Sequence, residues 1–313
     1  MPKGDLPLFD KGCFNGSIEV QSFTKGISLR DSNRSVSYTF ELEKEPLKLY
    51  MIASAERSFT VMPKLRIWLN DFSLSKEFKP NVEITDGNSV FSTIIYDISP
   101  FGKKGRNELN FVRSSNDSMN IINVTVVSFY KDDDLKTDYK LNAGTVMLGN
   151  RETMELENIG KGILVLGGKK GSAKVFTAKD VLTSSYFMES DELEITTEGK
   201  LKVANEEGNS TLVFFYGTFS VASPEIRISP QVTHKDGSIF LSVRNESDVQ
   251  LDKMVMNLTV NGVTKFFKVY SSVKPNEELR EKVDKAGEKL LNVNLRVVGV
   301  KSGMRIVIDK PLE

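Results

Sequence analysis

The chain has 313 residues, 39% of them hydrophobic and 27% charged, which indicates a folded protein with a sizeable core rather than a disordered one. Its 42 basic and 42 acidic residues cancel, so no overall field draws in nucleic acid or an anionic membrane, and we expect neither as a partner. No run approaches the roughly 18–20 apolar residues of a membrane span, and the opening residues carry no signal peptide. These features predict a soluble, cytoplasmic protein or a virion component.

Short runs of alternating apolar and polar residues dominate the N-terminal third. Alternation over residues 17–21 and 36–42 predicts two strands with one buried face each, and residues 47–53 form a denser, more buried run. Residues 65–70 alternate again and end in an Asn-Asp turn. A long β-rich run at residues 119–130 would complete a β-sandwich, which we expect to occupy residues 1–133.

The order of three segments resembles the galactose-binding-like jelly roll. They are Ile67-Trp-Leu-Asn70, Tyr96-Asp97-Ile98-Ser99-Pro100 and Gly105-Arg-Asn107-Glu-Leu109-Asn-Phe111. The resemblance implies a β-sandwich fold much more strongly than a ligand, because Asp97 and Asn107 are turn and strand-edge residues in such domains. Members of this family bind sugars, serve as accessory domains of glycosidases, or support assembly.

A cluster of charge at residues 131–136, with three adjacent aspartates, predicts a solvated connector to a second β-rich domain at residues 134–224. Within that domain, residues 193–203 predict a hairpin that turns near Glu198-Gly199. Gly167-Gly-Lys-Lys-Gly171 lacks the spacing of a phosphate-binding loop, and we expect a hairpin turn with solvated lysines there.

Residues 225–313 predict a third, compact sandwich. Asn261-Gly262 between two alternating runs favours a type I′ hairpin turn, because both residues tolerate positive φ. The order of strands and turns resembles immunoglobulin-like domains of the adhesion type, and the lack of a Cys…Trp…Cys core excludes an antibody-type domain. Residues 277–291 have a helical composition in a setting of strands, and we expect strand or irregular structure.

Residues for catalysis or metal binding are scarce. His234 is the one histidine and lies beside a predicted turn, so we expect no catalytic role for it. The single cysteine, Cys13, excludes an intrachain disulfide and, with one histidine, the common zinc sites. We therefore expect no cofactor, no metal and no enzyme activity. A structural calcium ion bound by Asp, Asn and backbone oxygens, and the paired carboxylates of a hydrolase, remain open alternatives.

Three residues are candidates for ligand binding: Trp68, Asn70 and Tyr96. A flat aromatic ring suits the C–H groups of a pyranose, and Trp68 lies opposite the apolar side of its predicted strand. Packing in a core or between domains is the competing interpretation for both aromatic residues.

Together these features predict an all-β protein of two or three β-sandwich modules in series. Its expected function is that of a non-catalytic scaffold or assembly subunit, as in a virion or surface structure, acting through a protein partner or self-assembly. The alternative is a carbohydrate-binding protein or an accessory module of a glycoside-active enzyme.

Overall fold

The structure is a computed structural model that describes residues 1–60, 64–75, 79–208, 210–222, 225–284, 292–301 and 304–312. Within these residues strands dominate, and the one helical element is a single 3-10 turn at Ser99–Phe101, which confirms the all-β prediction. The chain divides into two compact units, Met1–Ala222 (unit 1) and Ser223–Glu313 (unit 2).

Unit 1 consists of sixteen strands in its described residues. They are β1 (Lys3–Asp5), β2 (Leu8–Phe23), β3 (Ile27–Leu29), β4 (Ser35–Leu42), β5 (Lys48–Ser58), β6 (Leu65–Leu69), β7 (Phe72–Ser75), β8 (Val82–Asp86), β9 (Ser89–Asp97), β10 (Gly105–Arg113), β11 (Met119–Leu148), β12 (Thr153–Asn158), β13 (Lys161–Phe176), β14 (Val181–Ile195), β15 (Gly199–Gly208) and β16 (Thr211–Ala222). Twelve of them form one antiparallel sheet, and β4, β10, β6 and β7 form another in that order.

The 30-residue strand β11 lies in the middle of the strand order of the large sheet. Along one edge it pairs with β3, then with β2 over nearly the whole length of β2, and then with β1. Along the other edge its first half pairs with β5 and its second half with β16. One strand therefore pairs with five others: β1, β2, β3, β5 and β16.

Strands β2 and β11 bend together in the middle. Gly16 pairs with Lys131 and Asn15 with Lys136, so β2 continues without a break while β11 carries four extra residues at 132–135. The three aspartates of this segment lie on the outer side of the bend, where they are exposed or half-buried. The predicted boundary at 133/134 is therefore wrong, because it falls inside β11 and inside unit 1.

Because of this bend the large sheet folds back over itself, and unit 1 has layers separated by three cores. The first core lies between the four-stranded sheet and β5, β9 and the first half of β11. The second lies between the opposite face of those strands and the layer made of β13, β16 and the second half of β11. The third lies between that layer and β15, with the remaining part of β13.

Local turn signals gave mixed results in unit 1. The Asn70-Asp71 turn is confirmed: Leu69 pairs with Phe72, and Asn70 has a φ of 53°. The predicted turn at Gly167–Gly171 is wrong, because these residues lie inside β13, which pairs with β14 on both sides of them. The predicted hairpin at residues 193–203 is also wrong, since β15 pairs with β12 and β13 rather than with β14.

Unit 2 is a two-layer sandwich around its own core. Its strands are β17 (Ile228–Lys235), β18 (Ser238–Asn245), β19 (Leu251–Val260), β20 (Val263–Val273), β21 (Glu278–Asp284), β22 (Val293–Lys301) and β23 (Met304–Pro311). One sheet has the order β17-β18-β21 and the other β20-β19-β22-β23.

The hairpin turn predicted at Asn261-Gly262 is confirmed, with φ of 51° at Asn261 and 82° at Gly262. Strand or irregular structure was expected for residues 277–291, and the part of this segment in β21 is a strand. Residues 285–291 lie outside the described residues.

We predict that Gly16→Ala destabilises unit 1 by about 2–3 kcal/mol, because a Cβ at this position would collide with the Tyr130 carbonyl oxygen and the Phe14 ring. Denaturant unfolding followed by far-UV circular dichroism measures the loss. Gly12→Ala in the same strand is the control, since its new methyl group meets nothing nearer than the Tyr139 hydroxyl at 3.2 Å. Equal stability of the two variants would contradict this role of Gly16.

Candidate functional site

Trp68 lies on the solvent-facing side of the four-stranded sheet of unit 1. Its neighbours in β6, Leu65, Ile67 and Leu69, are buried in the first core, while Trp68 is half-buried on the opposite face. The register places it in one row across the sheet, with Ser73 of β7 on one side and Asn110 of β10 on the other. An aromatic side chain with polar neighbours on an exposed sheet face can contact a polar ligand.

Asn70 is held by three side-chain hydrogen bonds that close the turn after β6. Its Nδ2 donates to the Phe101 carbonyl oxygen at 3.3 Å and to Asn107 Oδ1 at 3.2 Å, and its Oδ1 accepts from the Glu108 amide at 3.1 Å. The residue adopts the left-handed conformation that Asn tolerates well. Its amide is therefore occupied in holding the turn against the start of β10.

Tyr96 lies in β9, in the large sheet, and packs against the first core. Trp68 faces away from that same core on the outer side of the other sheet. The structure therefore does not bring the three predicted ligand-binding residues together, and Trp68 alone lies on an open face. Alternation identified the strands, but the assignment of Tyr96 to the inner side depends on how the two sheets pack.

An apolar row that the sequence analysis did not identify crosses all four strands of the β20-β19-β22-β23 sheet in unit 2. The register pairs Val255 with Val269 and Val298, and Val298 with Val307. These side chains alternate with core residues, so they point away from the core. Val269 is 47% exposed and Val307 is 49% exposed. We call these four residues the valine row.

Charged and aromatic residues flank the valine row. On one side lie Lys253 and Arg305, two positions along β19 and β23 from valines of the row. On the other side Phe267 is 62% exposed, and Arg296 makes a two-pronged ion pair with Asp309 at 2.9 Å for each contact. The row is thus an apolar strip with two basic residues on one side and an exposed aromatic residue and an ion pair on the other.

A second cluster of interacting side chains lies where β2, β5 and β11 meet near the bend. The Asp10 carboxylate accepts hydrogen bonds from Lys48 Nζ at 2.9 Å, the Tyr50 hydroxyl at 2.9 Å and the Tyr139 hydroxyl at 3.1 Å. Lys48 Nζ also lies over the Phe129 ring, 5.6 Å from its centroid. With one carboxylate surrounded by donors, the cluster fastens three strands together.

The pKa values of this cluster follow from its burial and hydrogen bonds. Burial raises the pKa of Asp10, but the bonds from the Lys48 ammonium and two phenols outweigh it and hold the pKa below its ordinary value. Burial and the neighbouring carboxylate raise the pKa of Tyr50 to about 12. The charged carboxylate and the neutral phenols are thus the stable forms at neutral pH.

The one histidine and the one cysteine of the sequence belong to different units. His234 is exposed on β17 in unit 2, and Cys13 is exposed on β2 in unit 1. Within the described ranges, no three His, Cys, Asp or Glu side chains lie close enough together to hold a metal ion. Across the part of the chain that the structure describes, no helix is long and apolar enough to span a membrane.

Comparisons with known proteins give only distant likenesses. No family model and no curated protein matches the sequence. Among solved structures, a β-glucuronidase from Ruminococcus gnavus is similar with a TM-score of 0.22 and 9% identity, over 54% of this chain and 36% of that one. A β-D-glucuronidase from Dictyoglomus thermophilum has a TM-score of 0.21 and 10% identity, over 94% of this chain and 43% of that one.

A glycoside hydrolase domain, Endo-D from Streptococcus pneumoniae, has a TM-score of 0.21 and 13% identity, over 59% of this chain and 34% of that one. The matched regions thus span well under half of each of these longer chains. TM-scores and sequence identities this low do not indicate the function of this chain.

We predict that Asp10→Asn lowers the free energy of unfolding by about 1–2 kcal/mol at neutral pH, a range that allows for solvent screening of the half-exposed Lys48. Since the folded-state pKa of Asp10 is lowered, its contribution is present above the unfolded-state pKa and is lost as pH falls through the folded value. The difference between wild type and variant in denaturant unfolding should therefore shrink towards pH 2. A difference that stays constant with pH would contradict the assigned ion pair.

Proposed function

We propose that the protein is a non-catalytic structural or interaction protein that acts through protein–protein contacts. The valine row supports this proposal, because it places four apolar side chains in one line on a solvent-facing sheet surface. Removing such a strip from water upon contact with another protein is favourable, and the charged borders would orient the partner.

We propose a second copy of the chain as the partner. If two sheets face each other about a two-fold axis along the valine row, each valine meets a valine of the other copy, and the two borders exchange places. Arg305 then lies opposite Asp309 of the other copy, because the two residues are equally far from Val307 on opposite sides of it. This arrangement brings the two valine rows together and pairs Arg305 with Asp309 of the other copy at the same time.

The module types proposed from the sequence fit this function. The two-layer arrangement around the first core supports a galactose-binding-like sandwich in the N-terminal third. The two facing sheets of unit 2 support an immunoglobulin-like sandwich. Both kinds of module serve as supports for contact surfaces, which is consistent with a scaffold or assembly subunit.

We predict that the wild-type chain forms a dimer of the 35.0 kDa protomer at micromolar concentration, and that Val269→Glu with Val307→Glu raises the dimer dissociation constant at least tenfold. Each new carboxylate would be buried without a partner in the proposed contact. Size-exclusion chromatography with light scattering over a concentration series measures this change. Both substitutions lie on an exposed face, so the monomer should remain folded.

The control is Val181→Glu, which changes a similarly exposed valine (53%) in unit 1, far along the chain from the valine row. We expect this variant to dimerise like the wild type. A wild-type chain that stays monomeric at all concentrations, or a double variant that dimerises normally, would contradict the proposed contact.

A second candidate function is carbohydrate binding by the outer face around Trp68. The observation in its favour is the row of Ser73, Trp68, Asn110 and Ser37 across the four-stranded sheet, in which the Ser37 hydroxyl is hydrogen-bonded to Asn110 Oδ1. A half-exposed indole face and flanking amide and hydroxyl groups are the features that a pyranose ring can use.

For this candidate we predict that the wild type binds at least one ligand on a glycan array. The Trp68→Ala variant should not bind this ligand, and the Trp68→Phe variant should keep part of the signal because an aromatic ring remains. Loss of the signal in Trp68→Ala with an unchanged thermal unfolding curve would assign it to the ring itself. Binding that persists in Trp68→Ala would remove this face from consideration.

A further inference from the structure

Unit 1 contains an open cavity of about 530 Å³ on the side of β5 and β11 that faces the second core. This volume lies within the range of small-molecule binding sites. Its lining contains none of the three predicted ligand-binding residues and no residue of the valine row.

The floor of the cavity is one cross-strand row of side chains. The register aligns Phe91 of β9, Glu56 of β5, Asn120 of β11 and Ser28 of β3, and all four line the cavity. Four different strands therefore fix these groups side by side, on regular ladder positions rather than on mobile loops.

The polar groups of the cavity are oriented by hydrogen bonds. Glu56 Oε1 accepts from the Ser89 hydroxyl at 2.7 Å, and its Oε2 accepts from Asn120 Nδ2 at 3.3 Å. Arg30, which also lines the cavity, donates from Nε to the Ser28 hydroxyl at 3.1 Å. A carboxylate has about four lone-pair sites and a guanidinium has five N–H donors, so both groups can bind several partners at once.

The remaining wall is apolar and includes Phe91, Ile122 and Leu212. Ile122 reaches the cavity because β11 has a β-bulge between Ile121 and Asn123, where its register against β5 shifts. The bulge turns Ile122 and Asn123 toward the same side of the sheet. The cavity thus combines an acidic group, a basic group and a hydrocarbon surface.

We propose that this cavity binds a small zwitterion with an apolar side chain, an α-amino acid or a dipeptide. The ligand's ammonium group would bind Glu56 and its carboxylate Arg30, while its side chain packs on Phe91, Ile122 and Leu212. A sugar fits less well, because it carries neither of the two charges that Glu56 and Arg30 would bind. This inference goes beyond the proposed function and does not depend on the valine row.

The test uses the full-length chain and three probes: L-leucine, L-phenylalanine and the dipeptide Leu-Leu, followed by isothermal titration calorimetry and saturation-transfer NMR. We expect at least one probe to bind at millimolar or lower concentration. N-acetyl-L-leucinamide, which carries neither charge, and D-glucose should bind at least tenfold more weakly. Glu56→Gln and Arg30→Met should each weaken zwitterion binding at least tenfold.

Ser118→Trp places a bulky ring at a residue that lines the cavity and should abolish binding. Asn116→Trp, on the same exposed segment but outside the lining, is the matched control and should bind normally. Thermal unfolding checks that each variant is folded. The proposal is overturned if no zwitterion binds, if binding survives in Ser118→Trp, or if glucose or the uncharged analogue binds as tightly as the amino acids.

Discussion

Where β2 and β11 turn together at Gly16, four residues of β11 have no partner in β2, and the pairing of the two strands resumes beyond them. Backbone groups that lose their partners inside a protein are costly, so resuming the same pairing keeps most backbone groups of both strands hydrogen-bonded. The close approach of the Tyr130 carbonyl leaves no room for a side chain at this point. The Asp10 cluster sits beside the bend because β2, β5 and the second half of β11 converge there.

The layers of unit 1 follow from that bend. The two faces of the first half of β11 contribute side chains to the first and the second core. Its second half contributes side chains to the second and the third core. A flat sheet of this width would leave one face in water, whereas folding it back buries both faces of its central strands. This explains the long buried runs in β5, β11 and β16, which do not alternate as a half-buried strand would.

The sequence predicts the local features of this fold well and the long-range ones poorly. Alternation and turn chemistry identify the strand that carries Trp68 and the hairpin at Asn261-Gly262, since both depend on neighbouring residues. Three aspartates at 132–134 suggest a linker because local polarity cannot distinguish a connector from the solvent-facing arc of a bent strand. The valine row and the cavity floor each join four separate strands, and their register is not determined by alternation within any one of them.

The pairing of β2 with β11 also has a consequence for the order of folding events. Gly16 and Thr137, which are joined by a 2.5 Å hydrogen bond across the bend, are 121 residues apart in the chain. During synthesis β1, β2 and β3 leave the ribosome long before their partner strand exists, and for that time their edges have no native ladder to join. Contacts of such high sequence separation slow folding, because the entropy of closing a long loop is lost before the pairing compensates for it. The first core should therefore form only once β11 is complete, and the second and third cores only after β13 and β16 have followed it.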